Sequence, residues 1–331
     1  MKDILRRLTL HEKLSRSEAK QILVDITQDK YPAEQIASFV TVFLMRSISV
    51  EELSGFRDAL LEICVKVDIG DMPSIDVCGT GGDGKNTFNI STVSSFVVAG
   101  AGYKVTKHGN KSVSSNCGSS DVLHSLGYTF TNDGDTLLKQ LDQAGICYLH
   151  APYFHPALKS VAPVRKALGL KTFFNMLGPL VNPASPSHQL VGVFDLKLLR
   201  LYEALYRNIK TKHTILHGMD GYDEISLTGP TKVVSHNRGV GLVSSLDLGL
   251  PDYQEKDLYG GETIDEAKKI FLDILDNKGT PAQQDVVLAN SAMAIDCFKE
   301  KSDLATSLSE ARESLASGKA RKALEKLLSL T

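Results

Sequence analysis

Ile75-Asp76-Val77-Cys78-Gly79-Thr80-Gly81-Gly82-Asp83-Gly84-Lys85 is the stretch from which the rest of the chain can be read. Its first four residues read as a short strand, and the strand runs directly into a glycine-rich loop. Glycines let backbone N–H groups turn toward an anion and let that anion approach closely. Residues 89–99 then read as a helix, with Val93, Phe96, Val97 and Val98 apolar. Its start, Asn89-Ile90-Ser91-Thr92, adds free amides, hydroxyls and the positive end of a dipole. The glycines alone fit a turn without a ligand equally well. The strand before, the hydroxyl-rich helix start after, and Asp83 and Lys85 within the loop point to a phosphate or pyrophosphate site. The spacing is neither a Walker A nor a GxGxxG fingerprint.

Downstream, 103–106 reads as a second strand. It ends in Lys107-His108-Gly109-Asn110-Lys111-Ser112-Val113-Ser114-Ser115, with Gly118-Ser119-Ser120 after it. The strand–helix–strand unit of about 30 residues has the size of a parallel crossover. Ligands of open α/β sheets bind at the carboxyl ends of strands, so neighbouring loops can share one. Lys107 offers a point charge, and the serines and amides offer donors. Taken singly, the serines fit a solvated turn and His108 fits a structural hydrogen bond. Further on, 122–126, 137–143 and 198–206 read as helices and 190–194 and 214–216 as strands. Ile264, Ala267, Phe271 and Ile274 share a helix face, and Pro281 opens another helix. This alternation predicts an α/β fold with a mostly parallel sheet covered by helices.

Upstream, the period is helical throughout. Ser15 with Glu18 and Ser49 with Glu52 have capping-box spacing. Ile36, Phe39, Val40, Phe43 and Leu44 repeat as one apolar stripe. Asp71-Met72-Pro73 breaks the pattern. We therefore expect a small helical domain over 1–70 and a large α/β domain over 71–331.

The 331 residues are 42% hydrophobic and 23% charged, ordinary for a globular enzyme. A formal charge of −2 and a pI near 6.5 argue against a surface built for nucleic acid. Five scattered cysteines without zinc spacing suit a reducing compartment, the cytoplasm. The first ten residues do not read as a signal peptide, and no run of about 18 apolar residues predicts a membrane span.

Two further constellations carry chemistry. Gly221-Tyr222-Asp223-Glu224 follows a predicted strand, and adjacent carboxylates suit hard cations such as magnesium, which also takes substrate phosphates. A solvated acidic turn is the other reading of that pair. Arg165, within Pro163-Val164-Arg165, suits a carboxylate or phosphate partner, or else an exposed helix face.

Together these residues resemble the anthranilate phosphoribosyltransferase family. The resemblance rests on Asp76 to Asp83, Thr87-Phe88-Asn89-Ile90-Ser91-Thr92, Lys107-His108-Gly109-Asn110, Pro163-Val164-Arg165, Asn175-Met176-Leu177-Gly178-Pro179-Leu180 and Asp223-Glu224, in order along nearly the whole chain. It implies the fold shared with pyrimidine nucleoside phosphorylases, a homodimer, and a return of about 155–185 to the helical domain. It implies transfer of the phosphoribosyl group of 5-phosphoribosyl 1-pyrophosphate to anthranilate, in tryptophan biosynthesis. On the same resemblance, the donor would be bound by Gly79, Gly82, Asp83, Thr87, Asn89, Ile90, Ser91, Thr92, the run from Lys107 through Ser115, and Ser119. Gly79, His108, Asn110 and Arg165 would line the anthranilate path, and Ser91, Asp223 and Glu224 would hold Mg2+, two ions per monomer. Lys111 and Ser112 stand where Arg and Ala are common in that family, and Leu158 where some members carry an aromatic residue. A nucleoside phosphorylase of the same fold and a non-catalytic, nucleic-acid-binding relative are the competing readings.

Overall fold

The computed structural model describes residues 1–111 and 116–331. The chain divides into two compact units, Met1–Val67 with Ala151–Pro183, and Asp68–His150 with Ala184–Thr331. In chain order the elements begin with α1 (Lys2–Thr9), α2 (Arg16–Thr27), α3 (Ala33–Met45) and α4 (Val50–Ile63). β1 (Ser74–Gly79), α5 (Ile90–Gly100), β2 (Lys104–Gly109), α6 (Ser119–Ser125), α7 (Gly134–Ala144) and β3 (Ile146–His150) follow. The short α8 (Ala151–Phe154) and α9 (Ala162–Leu168) precede β4 (His188–Gly192), α10 (Leu196–Tyr206), β5 (Lys212–Gly218), β6 (Thr231–Ser235) and β7 (Gly239–Val243). The chain ends in α11 (Ser245–Leu248), α12 (Ile264–Leu275), α13 (Pro281–Asp296), α14 (Leu304–Ala316) and α15 (Lys319–Leu328).

In the smaller unit both predicted capping boxes form. Ser15 and Ser49 each accept from the backbone N–H three residues on, and Glu18 and Glu52 return the bond. Glu52 does more than cap. It is fully buried, and it accepts from Arg46, from the Leu14 N–H at 2.9 Å and from the Ser49 N–H at 2.9 Å. The apolar stripe of α3 meets α4 and the 151–183 segment in one aromatic cluster. Phe56 stacks on Phe173 at 4.4 Å, and Phe39 and Phe43 meet both rings edge-on. Leu44 does not join and is 39% exposed. At about 100° per residue it falls on the margin of the stripe that Phe39, Val40 and Phe43 centre.

In the larger unit the described strands form a seven-stranded sheet, ordered β3-β2-β1-β4-β5-β6-β7. β3 to β5 pair in parallel in that spatial order, and β6 and β7 add an antiparallel edge. The expected fold class, a small helical part with a large, mostly parallel α/β part, is the one observed. α5 packs on β1 and β2 and against α13 and α15. That is why Phe96, Val97 and Val98 are all fully buried. β1 has β2 on one side and β4 on the other, so the chain reverses its order across the sheet at β1. Open sheets leave a crevice at the carboxyl ends of such strands.

Several expected bounds move. The second strand extends to Gly109, so Lys107 and His108 belong to β2 and not to a loop after it. α6 begins at Ser119, three residues before the apolar positions that announced it. Ile264, the first residue of α12, is 42% exposed because the helix buries its face only from Ala267 onward.

Candidate functional site

Gly79 closes β1, and Gly192 closes β4 directly opposite it in register. Both strand ends run under Asp223. A side chain at Gly79 would strike the Asp223 carboxylate, and one at Gly192 would strike its backbone carbonyl. Two adjacent strands therefore end without side chains so that the acidic segment can lie across them. The glycine loop then folds back over this segment. The Gly81 N–H donates to Asp223 Oδ2 at 2.7 Å, and the Asp223 N–H reaches Asp83 Oδ2 at 3.5 Å. Gly81, Gly82 and Gly84 all take positive φ, between 64° and 79°, which glycine adopts without strain. Asp83 Oδ1 accepts from the Lys85 N–H at 3.0 Å, which tightens the turn. The Lys85 ammonium turns to Glu255 at 3.0 Å and lies over the Tyr222 ring.

Glu224 lies next to Asp223, with the Ser91 backbone N–H at its carboxylate. Ser91 is the second residue of α5, so this contact uses an amide left free at a helix start. Asn89 is the N-cap residue, but its side chain does not cap. Its Nδ2 donates to the Cys117 carbonyl at 3.0 Å, tying α5 to the segment before α6. Ile90 and Thr92 are buried behind Ser91. Thr87 bridges to Tyr259 in an isolated antiparallel pair.

Lys107 is almost wholly buried, and its Nζ donates to the Val77 carbonyl at 2.6 Å and lies 3.5 Å from Ser91 Oγ. Burial pulls its pKa down, against the attraction of Asp76, Cys78 and Glu224. The expected point charge is thus placed beneath the start of α5 from within the strand. His108 is buried, and its N–H donates to Asp76 Oδ1 at 3.2 Å. Asn110 is exposed, and its carbonyl accepts from Ser119 Oγ at 3.2 Å and from the Ser120 N–H at 3.1 Å. Lys111 is exposed, its N–H on Asn110 Oδ1 at 2.8 Å. The predicted contacts at Ser112, Val113, Ser114 and Ser115 lie outside the described residues.

The acidic pair has the electrostatics of a cation site. Burial, then the neighbouring Asp83, pushes the Asp223 carboxyl up to about 7. Burial, then Asp223, pushes the Glu224 carboxyl up to about 8. Carboxylates this crowded are held back from ionising together, and a divalent cation between them removes the penalty. Among the described residues, no three His, Cys, Asp or Glu side chains gather as a metal cage. Two carboxylates, a serine hydroxyl and a ligand's own phosphates are the oxygen set that magnesium accepts.

Arg165 belongs to the smaller unit. It lies on α9 with its guanidinium over the Phe174 ring at 5.2 Å, and burial lowers its pKa.

Two contributors carry no clear signal in the sequence. One is Gly192, which looks like any strand-end glycine until its register with Gly79 is known. The other is Asn290, fully buried in α13. Its Oδ1 accepts from the Ile225 N–H at 3.0 Å and its Nδ2 donates to the Ile225 carbonyl at 2.9 Å. It pins the backbone immediately after Glu224. An asparagine inside the apolar run Val286 to Ile295 is the one hint available.

Comparison with known proteins places this arrangement in a class. The helical bundle domain of the glycosyl transferase family matches residues 2–64, and its a/b domain matches 71–321. The relatives narrow it further. Anthranilate phosphoribosyltransferase of Flavobacterium johnsoniae is 54% identical over 332 residues, with 100% of both chains covered. The crystal structure of anthranilate phosphoribosyltransferase from Thermus thermophilus matches with a TM-score of 0.91 at 30% identity, covering 98% of each chain. That of the Saccharomyces cerevisiae enzyme in complex with PRPP and Mg matches with a TM-score of 0.91 at 26% identity, covering 98% of this chain and 96% of the other. The chain belongs to the anthranilate phosphoribosyltransferase family.

Proposed function

We propose that the protein transfers the 5-phosphoribosyl group of 5-phosphoribosyl 1-pyrophosphate to the amine of anthranilate, releasing pyrophosphate, as a step of tryptophan biosynthesis. The observation that carries this is the meeting, over the ends of β1 and β4, of the glycine loop, the start of α5 and the Asp223-Glu224 pair. The larger unit binds the donor, through Gly79, Gly82, Asp83, Thr87, Asn89 to Thr92, the Lys107 to Ser115 run and Ser119. On the family resemblance we assign the anthranilate carboxylate to Arg165, and on the same resemblance Gly79, His108 and Asn110 are acceptor contacts.

The chemistry asks for little covalent work. An aryl amine is already unprotonated near neutral pH, so no strong base is needed. Breaking the C1–pyrophosphate bond builds negative charge on the leaving group and positive charge on the ribose. The positive end of the α5 dipole favours such an anion, and the Lys107 Nζ lies close to that helix start, on the Val77 carbonyl. Asp223, Glu224 and Ser91 would hold magnesium, two ions per monomer on the family resemblance, and the metal would supply neutralising charge to the pyrophosphate. The Mg in the yeast relative's complex supports that metal. Five free cysteines support a cytoplasmic setting, and no described helix is long and apolar enough to cross a membrane. We further assign a homodimeric state on the family resemblance.

The test mixes protein, anthranilate, the phosphoribosyl donor and magnesium, follows the loss of anthranilate fluorescence, and omits each component in turn. Loss only in the complete mixture is expected. No loss under any condition would favour a nucleoside phosphorylase or a non-catalytic relative. Replacing Asp223 and Glu224 together with alanine should abolish magnesium-dependent turnover, and Arg165→Ala should raise mainly the KM for anthranilate. A defect of Arg165→Ala confined to the phosphoribosyl donor contradicts its assignment.

A further inference from the structure

From the end of β2 inward runs a chain of polar groups whose buried part, Tyr148, Ser120 and His150, the proposed reaction does not use. Ser119 Oγ lies 3.2 Å from the Asn110 carbonyl and 2.7 Å from the Tyr148 hydroxyl. Tyr148 in turn lies 2.8 Å from Ser120 Oγ, and Ser120 Oγ lies 2.8 Å from His150 Nδ1. Only the Asn110 end is exposed. Tyr148 and Ser120 are completely buried, and His150 is buried with its ring stacked on Phe130 at 4.4 Å. Gly109 makes room for the chain, since a side chain there would meet both the Tyr148 hydroxyl and Ser119 Oγ.

The protons in this chain can run in one of two directions. A carbonyl oxygen only accepts, so the Ser119–Asn110 contact requires Ser119 to donate. Ser119 must then accept from Tyr148, Tyr148 from Ser120, and Ser120 from an Nδ1–H on His150. Every contact is satisfied in that direction. The reverse direction commits the Ser119 proton to Tyr148 and leaves two acceptors facing each other at 3.2 Å, a costly arrangement beside a buried network. Burial also keeps the Tyr148 phenol protonated and holds the His150 imidazole neutral, helped by Lys111.

We infer that Tyr148 is a positioning residue for the phosphoribosyl donor: by giving its proton to Ser119, it keeps the single Ser119 proton turned away from Tyr148, on the Asn110 carbonyl here and on a phosphate oxygen that takes that carbonyl's place once the donor binds. This rests on the donor assignment of Ser119 in the proposed transferase reading. The buried end of the chain, through Ser120 and the Nδ1–H form of His150, sets the direction.

Tyr148→Phe removes one oxygen and keeps the ring. Its KM for the phosphoribosyl donor should rise about tenfold, the equivalent of one charge-assisted hydrogen bond. Its kcat and KM for anthranilate should stay within about twofold. Ser119→Ala should show the same defect, and the double variant should be no worse than Ser119→Ala alone, since Tyr148 acts through that hydroxyl. Independently of turnover, nitrogen-15 NMR of the wild-type protein should find His150 as the Nδ1–H tautomer. An unchanged donor KM in Tyr148→Phe, additive defects in the double variant, or an Nε2–H His150 each overturns the inference. A wild-type protein that never consumes anthranilate sinks the transferase reading instead, and the tautomer still decides the direction of the chain.

Discussion

Replacing Gly192 with alanine perturbs the acidic pair without touching a charge. The added carbon would stand 1.5 Å from the Asp223 carbonyl oxygen, 2.5 Å from its carbonyl carbon and 3.3 Å from its Cα. Carbon atoms of this kind essentially never come closer than 3.0 Å, so the carbonyl must retreat by about 1.5 Å, the difference between 3.0 and 1.5 Å. β4 cannot yield easily, because it is hydrogen-bonded to β1 on one side and β5 on the other. The Asp223 segment must move, against the Gly81 bond on one side and the Asn290 clamp on the other. A misplacement of about 1 Å at a positioned group can cost about 100-fold in rate, about 2.7 kcal/mol of barrier. We expect kcat/KM to fall by at least about that factor and half-saturating magnesium to rise, read by anthranilate fluorescence across a magnesium titration. Overpacking should also lower stability by about 1–3 kcal/mol. Gly241→Ala on β7 is the control, because nothing lies within 4 Å of the added carbon there. Turnover of Gly192→Ala within twofold of wild type, at the same magnesium requirement, would refute the idea that these strand ends place the pair.

Asn290→Ala frees the backbone at Ile225, and should raise half-saturating magnesium severalfold while leaving the KM for anthranilate unchanged. Glu52→Ala strands the Arg46 guanidinium, which is only 9% exposed, and should cost about 3–5 kcal/mol in a denaturant titration. Phe56→Ala opens the aromatic cluster of the smaller unit and should cost a similar amount, about 3–5 kcal/mol, by the same measurement. Burial, reinforced by Lys212 and His236, lowers the pKa of His188 from its ordinary 6.5 to about 4. The unfolded chain therefore takes up a proton that the folded one refuses. Its contribution is fully present above pH 6.5 and is lost as the pH falls from 6.5 toward 4, by on the order of 2 kcal/mol. His188→Gln should flatten that part of the stability–pH curve, and an unchanged slope contradicts the assignment.

The periodic and punctuated parts of the fold are legible in the sequence. The capping boxes at Ser15 and Ser49, the stripe of α3 and the strand-loop-helix around Gly79 depend on residues a few positions apart. Local chemistry decides them. Expectation and structure part where a long-range neighbour overrides the local signal. Lys107 and His108 read as loop because charged and imidazole side chains seldom sit in a buried strand. Lys107 does so here because the Val77 carbonyl of the adjacent strand receives its ammonium, and the Asp76 carboxylate of that strand accepts from the His108 backbone N–H. β3 gives no signal although Ile146 to His150 is buried, since four apolar residues and a histidine have no period to distinguish them.

The candidate site divides the same way. The amino-acid sequence alone determined which groups could bind an anion and a hard cation, because glycines, a hydroxyl-rich helix start and adjacent carboxylates carry that chemistry wherever they stand. Their meeting is set by contacts distant in sequence. Asp223 lies 142 positions from the amide that holds it. That contact exists because β4 pairs with β1, two glycines face each other across the pairing, and the loop after β5 returns over both. Sheet order is set by burial of whole helices and strands together, and no short stretch of sequence records it.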